Sequence, residues 1–312
     1  MNSGKLASSL KNFWFAPVSP APVCLFRIVY GLLVLTTGLL LAPDLLTWFG
    51  AHPVISTQTI HDWEMSEARF SIFFLFPSSD TVALAVYAAL MLSATSLTLG
   101  LFTRFSAFVV FICLCSFDQR MACIMNSGDT LLRLEAFLLI FSEAGALYSL
   151  DRVRRGASTA KPLNLVSSSP WAQRLLQLQL AGVYAQTFFT KIVHSQWLDG
   201  TALYNCSRLT DFSRLPFPIL FDHLWVYQML CWLTLLIELA LFTLVWWKKT
   251  RYPVLLIGTL FHLCIDVTMN IPVFEYIMIA SYINFLEPAD VLGFVRKITA
   301  RIQPRSPYQN LK

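Results

Sequence analysis

The sequence predicts an all-α, multi-pass integral membrane helix bundle with seven or eight crossings. Three observations carry this. Apolar residues form 56% of the 312 and charged residues only 13%, about half the usual soluble share. Mean hydropathy is +0.60, so the chain holds more apolar surface than so few charges could cover in water. The apolar residues also gather in runs near the roughly 20 residues that span about 30 Å of hydrocarbon.

Residues 1–21 read as a cytoplasmic N-terminus containing the start of an interfacial segment, and 22–290 as the transmembrane domain. The first run, 22–41, is too long for a cleavable leader and has no small-residue cleavage site after it. It carries Arg27, for which two readings stay open: snorkelling to the headgroups, or an anionic partner inside the bundle. The 43–79 connection, with Asp44, Asp62, Glu64, Glu67 and the aromatic stretch 70–76, reads as an interfacial helix or an ordinary loop dipping into the headgroups.

Runs two and three, 81–101 and 105–124, form a tight helical hairpin. The fourth, 130–147, opens with Asp129 and Arg133, one turn apart and able to pair, and carries Glu135 and Glu143 deeper in. The Arg-, Ser- and Pro-containing segment 151–170 divides the bundle into halves. On the fifth run, 171–193, Arg174, Gln177, Tyr184 and Lys191 recur at near-integral turns and line one seam, with Gln179 and Gln186 on a second. A polar stripe on an apolar span faces protein or a cavity. Beyond it, Trp197 suits the aromatic belt.

The sixth run is 223–247. The last, 252–285, is too long for one span and is broken by Asn270-Ile-Pro272. Along it His262, Asp266 and Asn270 climb one face, with Glu275 past the break. No histidine pair at metal spacing accompanies them, so a hydrogen-bonded interior strip is expected and no metal site. Residues 291–312 read as a basic tail.

Lysine and arginine orient the bundle. With the N-terminus cytoplasmic, Lys5, Lys11, Arg104, Arg152, Arg154, Arg155, Lys161, Lys248, Lys249 and Arg251 fall inside, against Arg69, Arg120, Arg208 and Arg214 outside. The tail charges Arg296, Lys297, Arg301 and Arg305 join the inner side only with eight crossings, which is the preferred count. The net charge of +5 therefore reports orientation, and no basic, aromatic-interleaved patch points to nucleic acid. Seven cysteines without a C-x-x-C pair deny a full disulfide framework, leaving one outer-face bridge between Cys123 and Cys206 open. Phosphate-loop, dinucleotide and nucleophile-elbow signatures are absent.

The order Arg27-Ile-Val-Tyr-Gly31, Leu99-Gly-Leu-Phe-Thr-Arg104-Phe-Ser and Gly128-Asp129 resembles the HTTM domain, the membrane domain shared with vitamin K-dependent gamma-glutamyl carboxylase. The likeness continues through Lys191, Trp197-Leu-Asp-Gly200, Phe261-His262 and Met278-Ile-Ala-Ser-Tyr, covering about 10–290. It implies an intramembrane site for a reduced quinone such as vitamin K hydroquinone, opening on the outer face, where a lysine removes the quinol proton. A site screened from water favours a neutral amine able to do so. On this reading Lys191 is the candidate catalytic residue, and Arg27, Asp129, Tyr184, Trp197 and His262 are candidate binding residues. Two positions depart from the carboxylase: its base falls on Ile192, and a histidine before its fourth span falls on Gly128. The sequence ends without the lumenal domain that grips the carboxylase's substrate, so the resemblance implies the membrane chemistry alone. The expected partners are membrane lipids and a secreted peptide or partner protein, in the cell membrane. The competing reading is a non-enzymatic membrane partner or scaffold whose polar residues only pack helices, at about 0.6 kcal/mol each.

Overall fold

A computed structural model describes residues 3–63, 70–156, 166–210, 213–215 and 223–302; Glu64, Glu67, Arg69, Lys161 and Arg305 lie outside them. Where the chain is described it is helical, with only two isolated bridges, Val18 to Ser168 and Ser213 to Met269. The apolar runs became α2 (Ala21–Leu41), α5 (Asp80–Leu99), α6 (Thr103–Arg120), α7 (Ser127–Phe141), α9 (Trp171–Ile192), α12 (Leu224–Thr243) and α13 (Lys248–Thr268). Flanking them are α1 (Ser3–Phe15), α3 (Leu45–Phe49), α4 (Thr57–Trp63), α8 (Leu150–Arg154), α10 (Ser195–Asp199) and α11 (Thr201–Cys206). The chain closes with α14 (Phe274–Ser281), a 3-10 turn over Tyr282–Phe285 and α15 (Pro288–Ile302).

Local chemistry sets the ends. Ser79 accepts from the Val82 N–H to start α5, and Asn126 and Asp129 form a capping box on α7. Two expected runs stop early. The third ends at Arg120, whose buried guanidinium donates to the Ile55 carbonyl of the preceding connection. The fourth ends at Phe141, where Ser142 turns extended and Glu143 reaches Arg104. The last run divides as its Asn-Ile-Pro sequence predicts: α13 stops at Thr268 and α14 starts at Phe274.

Helices α2, α5, α6 and α7 pack in sequence as one half. In the other half α9 packs on α12, α12 on α13 and α13 on α14, while α14 also packs on α7 and α2 and joins the halves. The aromatic stretch of the 43–79 connection is partly core, with Phe73 buried against Phe49 and Phe117. The polarity is inverted relative to a water-soluble protein. Leu39, Leu92, Phe105, Leu236 and Leu256 face outward, while Arg27, Glu135, Glu238, His262 and Glu275 are buried. Four helical stretches are long and apolar enough to cross a membrane: Ala21–Phe49, Asp80–Leu99, Leu224–Trp246 and Lys248–Thr268. A pair bent by 111°, Phe274–Phe285 with Pro288–Arg301, raises this to five. The other expected spans fall below that measure: α7 has 15 residues, and α9 carries its polar seam.

The bundle has two chemically different ends. At one, Arg27 reaches the Tyr148 carbonyl, Arg174 lies over Phe13, Arg251 pairs with Glu287, and Val291 of α15 packs with Ala21 and Leu147. These contacts bring α1, the 100–105 and 142–155 segments, the start of α13 and α15 together, and with them the described basic residues expected on the inner side. Arg120, Arg208 and Arg214 stand at the opposite end, held by Ile55, by Tyr204 of α11 and by Asp266 of α13 respectively. All seven cysteines are free, so the Cys123–Cys206 bridge does not form: Cys123 is exposed and Cys206 half-buried.

Candidate functional site

The seam on α9 meets partners from α1, α10, α12, α13 and the 3-10 turn after α14, and it splits in two. Toward the basic end, Arg174 Nη1 donates to Gln177 Oε1 at 2.8 Å, and Gln177 Nε2 donates to the Asn284 carbonyl at 2.6 Å. This part ties α9 to the 3-10 turn that follows α14. The expected second seam does not form a unit, since Gln179 is half-buried and Gln186 exposed.

The other half of the seam is the site. Tyr184 Oη lies 2.6 Å from His262 Nε2 and 2.6 Å from Tyr282 Oη, with all three side chains buried. His262 Nδ1 meets the carboxylate of Glu275. With the proton on Nδ1, one direction satisfies every link: Tyr282 donates to Tyr184, Tyr184 to His262, and His262 to Glu275. Two turns further along α9, Lys191 forms an ion pair with Glu238 of α12, and its ammonium lies 4.5 Å from the centre of the Trp197 ring. The expected interior strip holds for His262, Asp266 and Glu275, while Asn270 lies exposed past the end of α13; Asp266 accepts from Tyr276 Oη at 2.8 Å and lies 3.5 Å from Arg214.

Beside these groups lies a cavity of about 650 Å³ between α11, α12, α13 and the start of α14. Its lining is mostly apolar, including Leu233, Ile237, Leu260 and Phe261, and Lys191 and Glu275 are the charged side chains on its wall. Such a space suits an apolar body with one polar head. Among the described residues no three His, Cys, Asp or Glu side chains gather to hold a metal ion.

The structure thus brings together Lys191, Tyr184, Trp197 and His262. It separates the other two candidates. Arg27 is fully buried at the basic end, where it donates to the carbonyls of Leu97 at 2.6 Å, Thr98 at 3.0 Å and Tyr148 at 2.6 Å. It neither snorkels nor pairs with a carboxylate among the described residues. Asp129 accepts from its own capping partner, the Asn126 N–H, at 2.8 Å. The expected Asp129–Arg133 pair is replaced by Arg133 with Asp118 of α6, because the cap holds Asp129 at the helix terminus. Glu135 is buried against Ser281.

Sequence reasoning missed Glu238 and Tyr282. Glu238 had a usable signal, being the one charged residue in α12. The two departures from the carboxylase also have structural counterparts. Ile192 is 38% exposed and turns away from the pair made by Lys191. At Gly128 a Cβ would lie 3.0 Å from the Cα of Phe274, so a side chain there requires the start of α14 to give by a few tenths of an ångström.

No curated protein and no solved structure matches this chain. The HTTM domain family model matches residues 15–289. That match takes in α2 to α14 and every residue of the site, and the chain belongs to the HTTM domain family.

Proposed function

We propose that the outer-end cavity binds a quinone-like lipid and that Lys191 is the acid–base group at its head. The carrying observation is an apolar space of about 650 Å³ with one amine on its wall and a carboxylate, Glu238, directly behind that amine. Apolar walls take the ring and the start of an isoprenoid tail. The amine hydrogen-bonds a ring oxygen and moves a proton at Nζ, and Glu238 shares that proton. Glu275, the other charged group on the wall, is held from behind by His262, which Tyr184 holds in turn. Carboxylation of glutamate is not part of this reading, because Ile192 and Gly128 stand where the carboxylase carries its base and its histidine. A secreted peptide maturing at the outer face is the partner that the family resemblance suggests.

The same reading places the protein in the cell membrane with eight crossings and a cytoplasmic N-terminus. Its support is that α15 meets, at one end, the described basic residues expected on the inner side. An impermeant maleimide applied to intact cells should label the exposed Cys123. Labelling only after permeabilisation, with reductant present, contradicts the orientation.

One observation favours the scaffold reading instead: Lys191, Glu238, His262 and Glu275 all find partners within the protein. Lys191→Arg separates the two. Guanidinium preserves the ion pair and the contact with Trp197 but does not give up its proton. An acid–base Lys191 requires that the Arg variant accumulates normally and fails to complement a deletion strain. Full complementation by Lys191→Arg would leave the scaffold.

A further inference from the structure

The outer site leaves unused the residues around Arg27 and Leu99 to Ser106, which build something else at the basic end. Between the 100–105 loop and the 142–155 segment lies an open cleft of about 740 Å³. Its floor is stitched across two loops. Both oxygens of Asp151 are taken, by the Phe102 N–H at 2.8 Å and by the Thr103 N–H and hydroxyl at 2.8 and 2.7 Å. The Asp151 N–H in turn donates to the Gly100 carbonyl at 2.9 Å. Arg27 seals the joint from below, so close that a Cβ on Gly100, already at φ +69°, would lie 2.4 Å from its Nη1. Phe102 at φ 46° and Tyr148 at φ 52° are two of the three non-glycine residues with positive φ among those described. Strain of this kind persists only where surrounding structure holds it, and it gathers at binding sites.

The walls are cationic. Arg104 and Arg154 are 62% and 54% exposed, and Arg154 stacks 4.2 Å from the centre of the Phe102 ring. Arg155 completes the set, spending two donors on the carbonyls of Gly145 and Asp151. Against these three cations stand Asp151, whose oxygens face the loop donors, and Glu143, which accepts from Arg104 at 2.6 Å. The planar guanidiniums of Arg104 and Arg154 retain further N–H groups for an oxyanion. The lip is greasy: Phe102, Phe105 and Phe108 are 57%, 68% and 47% exposed along the edge that runs onto α6.

We propose that this cleft holds the phosphate headgroup of an anionic phospholipid from the leaflet at the basic end, with its acyl chains along Phe105 and Phe108. A soluble phosphate would use the arginines and leave the aromatic lip without a function, which favours the lipid.

The test uses the full-length protein in nanodiscs of phosphatidylcholine with a minor fraction of phosphatidylglycerol, followed by native mass spectrometry of retained lipid. The wild type should retain phosphatidylglycerol over phosphatidylcholine by about tenfold. The double variant Arg104→Gln/Arg154→Gln should lose that preference. Arg154→Lys, which keeps the charge, should retain most of it and guards against loss by misfolding. Lys248→Gln/Lys249→Gln, at the same end but outside the cleft, should leave it unchanged. Equal retention of the two lipids by the wild type overturns the proposal. So does an equal loss in the Lys248/Lys249 variant, which would mean diffuse surface charge. Displacement of phosphatidylglycerol by equimolar inorganic phosphate overturns the lipid assignment.

Discussion

Two cations, Arg27 fully buried and Lys191 half-buried on a cavity wall, are held in opposite ways at opposite ends of the bundle. Arg27 donates through its two terminal nitrogens to three backbone carbonyls, while its buried Nε has no partner, and it faces no carboxylate among the described residues. Lys191 is satisfied by one carboxylate and a ring face, on the wall of a cavity. Carbonyls cannot accept a proton permanently, so the first arrangement fixes geometry and nothing more. A carboxylate can, so the second has a proton-sharing partner beside an open space. A charge placed inside the bundle marks both positions; the kind of partner tells structure from chemistry.

The largest effect expected from this contrast is on Arg27. Arg27→Met strands the carbonyls of Thr98 and Tyr148, while that of Leu97 keeps the Gly100 N–H, and each orphaned group costs about 1–3 kcal/mol. The variant should fail to accumulate in the membrane. Normal accumulation and an unchanged melting temperature would break the comparison, since Arg27 would then be dispensable to the fold.

Next is the loss of one member of the outer pair. Lys191→Met leaves Glu238 buried and uncompensated, at a cost of about 3–5 kcal/mol. Lys191→Met/Glu238→Met removes both charges and should recover most of that stability, because apolar pairs often replace buried ion pairs without penalty. Recovery of the melting temperature without recovery of function sharpens the distinction between holding helices and moving protons.

The smallest effect concerns the joint above Arg27. Burial pushes the Asp151 carboxyl up, but donation by Thr103 and Phe102 and the charge of Arg154 outweigh it and hold the group below the usual carboxylate range. Folding therefore favours the ionised form. Its contribution is complete above an unfolded pKa of about 3.9 and is lost as pH falls through the lower native value. The melting temperature of the wild type should fall on acidification below about pH 4, and Asp151→Asn should lack that portion of the fall. An identical acid profile in Asp151→Asn would remove Asp151 from the account.

The comparison also explains how far the sequence could be read. Apolar run length located α2, α5, α9, α12 and α13 to within a few residues, because hydrocarbon thickness imposes it. The ends of α6 and α7 were misplaced, since Arg120 and Glu143 find partners in neighbouring segments and stop their helices early. The seam of Tyr184 and Lys191 was legible as a period on one helix, and period says which face is polar. It does not say what that face meets. Glu238 stands 47 residues from Lys191, and Tyr282 stands 98 from Tyr184, so neither partner shares its helix. Arg27 was misread for a related reason: its partners are main-chain carbonyls, which no side-chain pattern reveals.

The cavity beside Lys191 carries the proposed function, and its occupant can be measured directly. Wild-type protein extracted from native membrane and Ala202→Trp, which adds an indole to the cavity from α11, should be compared by mass spectrometry of co-purified lipid. A quinone-class lipid near one per protein in the wild type, absent from a folded Ala202→Trp, is the predicted result. Equal quinone in both, or none in the wild type, would contradict it.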